Sequence, residues 1–141
     1  GGGFSRFVSV PEWQKKHLGR RTGVTGRGIP DVAAVASPDP GLSIFVRKSW
    51  TAAGGTSVAA PIWAGFLAQV NAARVSAGRP RLGAANATLY AAAAGRSTPY
   101  NDVLEGKNDY AGVAGFAATK GWDAATGLGS ADVARLVKAL G

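Results

Sequence analysis

The sequence predicts an α/β fold, and three stretches carry that prediction. Residues 31–37, DVAAVAS, form a short apolar run closed by PDPG, the pattern of a buried strand followed by a turn. Residues 42–55, LSIFVRKSWTAAGG, set β-branched and aromatic side chains between Gly41 and the Gly54-Gly55 pair, which reads as one or two further strands. From Thr56 the apolar pattern becomes helical and runs to Ala77, where Gly78 and Pro80 supply stop signals.

That helix is apolar on every side through Ala68 and turns mixed at Gln69 and Arg74, so it is expected to lie buried in the middle of the protein. A second helix is expected over 84–94, with Gly95 after its end, and a third over 130–140. In the third, Ser130 is placed to cap, Asp132 falls in the first turn, and Val133, Leu136, Val137 and Leu140 make one apolar stripe. Residues 1–30 are rich in glycine and basic residues and read as connection, with RTGVTGRGIP a loop closed by Pro30. Residues 95–129 form a glycine-rich loop region too long for a plain link, which marks a functional loop.

The 141 residues are enough for one domain with a sizeable core, and a 46% hydrophobic, 17% charged composition is that of a globular protein. The longest apolar run, residues 58–68, is too short to span a membrane. With no methionine and no leader pattern, the chain is expected not to start where its gene starts, and reads as a processed product, an expressed piece or a fragment. The absence of cysteine removes disulfides, zinc–thiolate sites and a thiol nucleophile together. A formal charge of +8 favours acidic partners in general, but the only dense basic run is KKHLGRR, without interleaved aromatics, so no nucleic-acid partner is expected.

The candidate site is the turn GGTS ahead of the long helix. A helix N-terminus leaves backbone N–H groups unpaired and carries partial positive charge, so a serine in its first turn has an oxyanion site beside its own hydroxyl. Thr56 or Ser57 reads equally as an ordinary N-cap. Two features favour chemistry at Ser57. Pro61 lacks the N–H that would bond the Ser57 carbonyl, and a rigidly held helix would fix the hydroxyl in place. A serine hydroxyl needs a base, and the single histidine, His17, sits among Lys15, Lys16, Arg20 and Arg21, a setting that disfavours its imidazolium and suggests an exposed loop.

Gly55-Thr56-Ser57 with Pro61 four residues on resembles the nucleophile motif of subtilisin-like serine peptidases, although Ile62 stands where subtilisins usually have histidine. The segments GGGFSRF with PEWQ, GRGIPDVAAVASP, GGTSVAAPIWAG, YNDVLEG and GWDAATGLGS occur in the order seen in the sedolisins, the serine-carboxyl peptidases, and look most similar to the kumamolisin-like branch. The resemblance covers essentially all 141 residues. It implies the C-terminal portion of a subtilisin-like catalytic domain, with a parallel sheet around the helix that carries Ser57. It implies Ser57 as nucleophile, its backbone N–H as half of the oxyanion hole, and a catalytic Glu, an Asp that holds it and an oxyanion Asp in the missing N-terminal portion. It also implies a secreted, acid-acting endopeptidase whose partners are peptides or unfolded proteins, with no membrane partner. Asp31 matches a structural position. A binding-only relative, or a calcium-dependent or basic interaction module, is the alternative.

Four of the eight acids, Asp102, Glu105, Asp109 and Asp123, fall within 22 residues of the glycine-rich loop. Composition alone leaves two readings open, a hard-cation site or a solvated loop tied by Lys107 and Lys120. The resemblance implies one structural Ca2+ held by the Asp102 side chain, the carbonyls of Val103, Thr119 and Gly121, and the Asp123 side chain. The family commonly has glycine at the position of Thr119, and a positive φ there would strain threonine. Trp122 reads as a packing residue, and the Asn86-Ala87-Thr88 sequon is discounted because it falls in a predicted helix.

Overall fold

A computed structural model describes residues 1–18 and 23–141. Arg20 and Arg21, from the basic run, lie outside the described residues, as does Thr22 at the start of the loop expected before Pro30. The fold is mixed α/β, with helices packed among short strand pairs.

The first thirty residues hold more structure than their glycines suggested. Strand β1 (Gly3–Ser9) pairs antiparallel with β2 (Gly26–Ile29), Gly3 opposite Ile29 and Phe4 opposite Gly28, with the register shifting before Ser9 meets Gly26. The short helix α1 (Glu12–Lys15) lies between them in sequence. The glycines that read as turn signals sit where a side chain has no room. A Cβ on Gly26 would lie 1.8 Å from the Ser5 carbonyl oxygen, and one on Gly28 would lie 2.4 Å from the Trp122 ring. Trp122 is only 2% exposed, donates its indole N–H to the Pro30 carbonyl at 3.0 Å and packs on Phe4, so it is the packing residue expected. Gly28→Ala is therefore expected to cost about 1–3 kcal/mol, read as a lowered melting temperature of the full-length protein; an unchanged melt would refute this packing.

Strands β3 (Leu42–Val46) and β4 (Ser49–Ala53) form a hairpin in which Phe45 faces Trp50. Its two-residue turn, Arg47 and Lys48, lies in the left-handed region at φ 51° and 65°, as a tight hairpin turn requires. Strands β5 (Tyr100–Asn101) and β6 (Ser130–Ala131) make a third, two-residue pair.

The expected parallel sheet is not seen among the described residues. All three sheets are antiparallel pairs, residues 31–37 do not form a strand, and the parallel pairing among the described residues is the single bridge Ala33–Ser130. Parallel strands are stable when neighbours and helices cover both edges and both faces. Segment 31–36 has one such neighbour, and its other side opens into a groove of about 390 Å3 lined by Val32, Ala34, Ala36, Ala59 and Trp63.

Helix α2 (Thr56–Ser76) has the predicted length, with Ala77 as C-cap and Gly78 at φ 70° after it. Its burial differs from expectation: only Trp63 and Val70 are buried, while Ala60, Ala64, Gly65 and Ala68 face outward. The helix packs on one side alone. There the Trp63 indole donates to the Ala33 carbonyl at 2.9 Å and the Arg74 guanidinium to the Leu140 carbonyl at 2.9 Å. Helix α3 (Asn86–Ala93) buries Leu89 and Tyr90, and α4 (Val133–Leu140) buries Leu136 and Leu140 of the predicted stripe. The α4 cap is Asp132, whose carboxylate accepts the Arg135 N–H at 3.0 Å; Ser130, the expected cap, belongs to β6. A carboxylate at the N-cap also suits the helix dipole.

A buried polar network joins these pieces. The side chain of Gln14, fully buried, exchanges hydrogen bonds with the Gly28 backbone and donates to the Tyr90 hydroxyl at 2.7 Å. That hydroxyl donates to Asp31 at 2.9 Å, and Asp31 also accepts from Arg27 and Asn86. Burial first of all pushes the Tyr90 hydroxyl pKa up, so it stays a donor at all working pH values. Tyr90→Phe leaves Gln14 and Asp31 each short of a partner and is expected to cost about 1–3 kcal/mol, checked by denaturant titration of the full-length protein. An unchanged midpoint would mean that the network contributes nothing.

Candidate functional site

Ser57 stands in the first turn of α2. Gly55 is the N-cap at φ 90° and ψ 165°, a conformation open to glycine, and it makes no side-chain cap. Thr56 and Ser57 therefore lie inside the helix, and neither serves as the N-cap. Val58 is the first residue whose N–H turns back, reaching the Gly55 carbonyl at 2.9 Å, so the N–H groups of Thr56 and Ser57 remain outside the helical ladder. Ser57 is exposed. Its hydroxyl and its own N–H thus lie on one exposed residue at the positive end of a 21-residue helix.

The turn is fixed from both directions. The Gly55 N–H donates to the Ala36 carbonyl at 2.6 Å, and Gly54 lies so close to Pro38 that a Cβ there would meet its Cα at 2.6 Å. Downstream, Trp63 ties the helix to Ala33, two turns along.

No carboxylate or imidazole hydrogen-bonds to Ser57 among the described residues. Asp31 is committed to Arg27, Asn86 and Tyr90, in keeping with the structural position expected for it. His17 follows α1 and meets the Tyr90 ring edge-on at 5.1 Å, half-buried where an exposed loop was expected. Burial lowers its pKa below the ordinary 6.5, a hydrogen bond to the Tyr90 backbone opposes this, and Lys16 adds to the lowering. Burial is the leading cause, ahead of the basic neighbours that the sequence pointed to. Asn86, the sequon residue, opens α3 and holds Asp31 with its amide at 2.8 Å.

The acidic loop has two tied carboxylates. Asp102 follows β5, is exposed, and accepts the Gly121 N–H at 2.7 Å. Asp123 is fully buried and accepts the N–H groups of Thr119 at 2.8 Å, Ala125 at 2.9 Å and Thr126 at 2.7 Å, with the Thr126 hydroxyl at 3.1 Å. Both aspartates are thereby fastened to segment 119–123, which brings Asp102, Val103, Thr119, Gly121 and Asp123 into one neighbourhood. Thr119 is not among the residues at positive φ, so the expected strain is not there, and Gly121 takes the left-handed conformation at φ 79°. Among the described residues neither Lys107 nor Lys120 pairs with an acid, and no three His, Cys, Asp or Glu side chains form a cluster. What the loop offers a cation is two carboxylates plus backbone carbonyls, an all-oxygen set suited to Ca2+.

No family model matches the chain. Among curated relatives, kumamolisin of Bacillus sp. (strain MN-32) is 38% identical over 99% of this chain and 25% of that protein. Sedolisin of Pseudomonas sp. (strain 101) is 36% identical over 96% of this chain and 22% of that protein. The chain belongs to the sedolisin family. A solved structure of Pseudomonas sedolisin, a serine-carboxyl proteinase complexed with two molecules of pseudo-iodotyrostatin, is matched with a TM-score of 0.81 at 34% identity, over 98% of this chain and 35% of that one. This sedolisin-family chain thus spans about a quarter of the length of the curated relatives it matches, in their C-terminal part. No helix among its described residues is long and apolar enough to cross a membrane.

Proposed function

We propose that this chain is the nucleophile-bearing C-terminal part of an acid-acting, serine-type endopeptidase. The observation that carries the proposal is the exposed Ser57 beside its own unpaired N–H, on a turn fixed by Ala36 and Pro38, in a sedolisin-family chain. Ser57 Oγ attacks the scissile carbonyl carbon while a Glu from the N-terminal portion takes its proton. The carbonyl π electrons move to oxygen, and the resulting oxyanion is held by the Ser57 N–H and an upstream Asp side chain. The tetrahedral intermediate collapses, the C–N bond breaks, and the protonated Glu returns the proton to the leaving amine. Water then repeats the sequence on the acyl-enzyme, freeing Ser57.

A carboxylate base stays ionised into the mildly acidic range, where histidine is already charged, so the chemistry suits acidic pH. Substrates are peptides or unfolded proteins, and the setting is extracellular or periplasmic. One Ca2+ belongs to the acidic loop, held by the Asp102 and Asp123 carboxylates and the carbonyls of Val103, Thr119 and Gly121; when bound, it neutralises the two carboxylates and cross-links the loop. The isolated chain lacks the base and is expected to be inactive.

The test uses the full-length protein with a fluorophosphonate or a peptide aldehyde at acidic pH, followed by peptide mapping. The proposal expects adduct on Ser57 together with hydrolysis of an unfolded protein. Absence of both, with the upstream acids present in the gene, would refute the peptidase and leave a binding-only relative.

A further inference from the structure

The β3–β4 hairpin stands apart from the core, and its exposure is unusual in kind. Trp50 is 72% and Phe45 61% exposed, yet their rings pack on each other at 5.3 Å, forming an aromatic platform in open solvent. Beyond it the turn carries Arg47 and Lys48, both exposed, on a left-handed backbone. Residues 42–53 contain no acid, and neither cation has an ion-pair partner among the described residues. Among the described residues the sheet has these two strands, so each keeps an open edge of N–H and C=O groups.

The root of this arm is stiff and leads straight to the nucleophile. Gly41, at φ 73°, is packed against the Pro38 carbonyl, Gly54 against Pro38 itself, and the Gly55 N–H is bonded to Ala36. Trp50 precedes Ser57 by seven residues, so their Cα atoms are within about 25 Å of each other. An extended peptide of about eight residues covers that distance.

We propose that the hairpin is a docking arm for the polypeptide substrate, one that takes an extended segment carrying apolar and acidic side chains several residues from the bond cleaved at Ser57. The inference rests on the peptidase reading above. Trp50 and Phe45 take the apolar side chains, Arg47 and Lys48 complement the acidic ones, and an open strand edge pairs with the extended backbone.

The experiment compares two substrates of the full-length enzyme, an unfolded acidic protein and a chromogenic tripeptide, which spans only about 10 Å when extended. Trp50→Ser is expected to raise KM for the protein about tenfold with kcat unchanged, and to leave kcat/KM for the tripeptide within about twofold. The double variant R47N/K48G, whose residues suit the left-handed turn, tests the charges even where Trp50→Ser fails to fold. It is expected to raise KM for the protein and flatten its dependence on salt. Equal losses on both substrates would show that the arm is covered by the enzyme itself and overturn the proposal. Unchanged KM in both variants would also overturn it while leaving the peptidase intact. Wild-type enzyme that cleaves neither substrate would overturn the peptidase reading, and the docking arm with it.

Discussion

Replacing Ser57 with alanine in the full-length protein is expected to lower kcat/KM for peptide hydrolysis by about 10^3-fold to 10^6-fold, with loss of covalent labelling. The magnitude follows from what the substitution removes. Oγ is the atom that carries the acyl group in the proposed mechanism, while the N–H that would hold the oxyanion belongs to the backbone and survives the change. Binding and oxyanion stabilisation then account for whatever residual rate is seen. Stability is expected to change by no more than about 0.5 kcal/mol, because Ser57 is exposed, the helix is capped by Gly55, and alanine is the better helix former. The measurements are steady-state kinetics at acidic pH and a thermal melt. A variant that folds normally and retains more than about a tenth of the wild-type rate would remove Ser57 from the mechanism.

The same turn shows what was legible in the sequence. The start of α2, its length and its stop at Gly78 follow from local chemistry: two glycines, a continuous apolar run, then glycine and proline. Local signals of that kind survive whatever surrounds them. The burial of α2 does not follow from them, because an all-round apolar helix says only that something covers it. Within this chain Trp63 and Val70 find cover, and Ala60, Ala64, Gly65 and Ala68 do not. The parallel sheet is not seen among the described residues for a related reason: segment 31–36 has a neighbour at Ser130 on one side and an open groove on the other. Strands β1 and β2 were missed because glycines read as turn signals when their role is to admit Trp122 and the Ser5 carbonyl. Nothing local marked Gln14, whose partners Gly28 and Tyr90 lie 14 and 76 residues away. Ser130 against Asp132 as the α4 cap was decided by the pairing of Ser130 with Asn101, which no window around the helix reveals.

The acidic loop separates two explanations of its order, hydrogen bonding and a bound cation, through aspartates of opposite exposure. Asp123 is fully buried and accepts three N–H groups and a hydroxyl, so Asp123→Ala leaves several part-buried donors without their acceptor and is expected to cost about 2–4 kcal/mol with or without metal. Asp102 is exposed, and among the described residues its side-chain hydrogen bond is to the Gly121 N–H. If hydrogen bonds alone order the loop, Asp102→Ala costs at most about 1 kcal/mol and a chelator changes nothing. If Ca2+ sits on the all-oxygen set, Asp102→Ala removes one of two carboxylates that lower its dissociation constant, and the variant's melting temperature should resemble that of chelated wild type. The site is expected to stabilise the full-length protein by about 3–4 kcal/mol when calcium is several hundred-fold above the dissociation constant. Melting curves of wild type and Asp102→Ala, each with calcium and with a chelator, complete the cycle: the calcium-dependent shift should be present in the first and absent in the second. An equal calcium shift in both proteins would place the ion elsewhere, and no shift in either, with no calcium found by elemental analysis, would leave Asp123 as a purely hydrogen-bonded anchor of the loop.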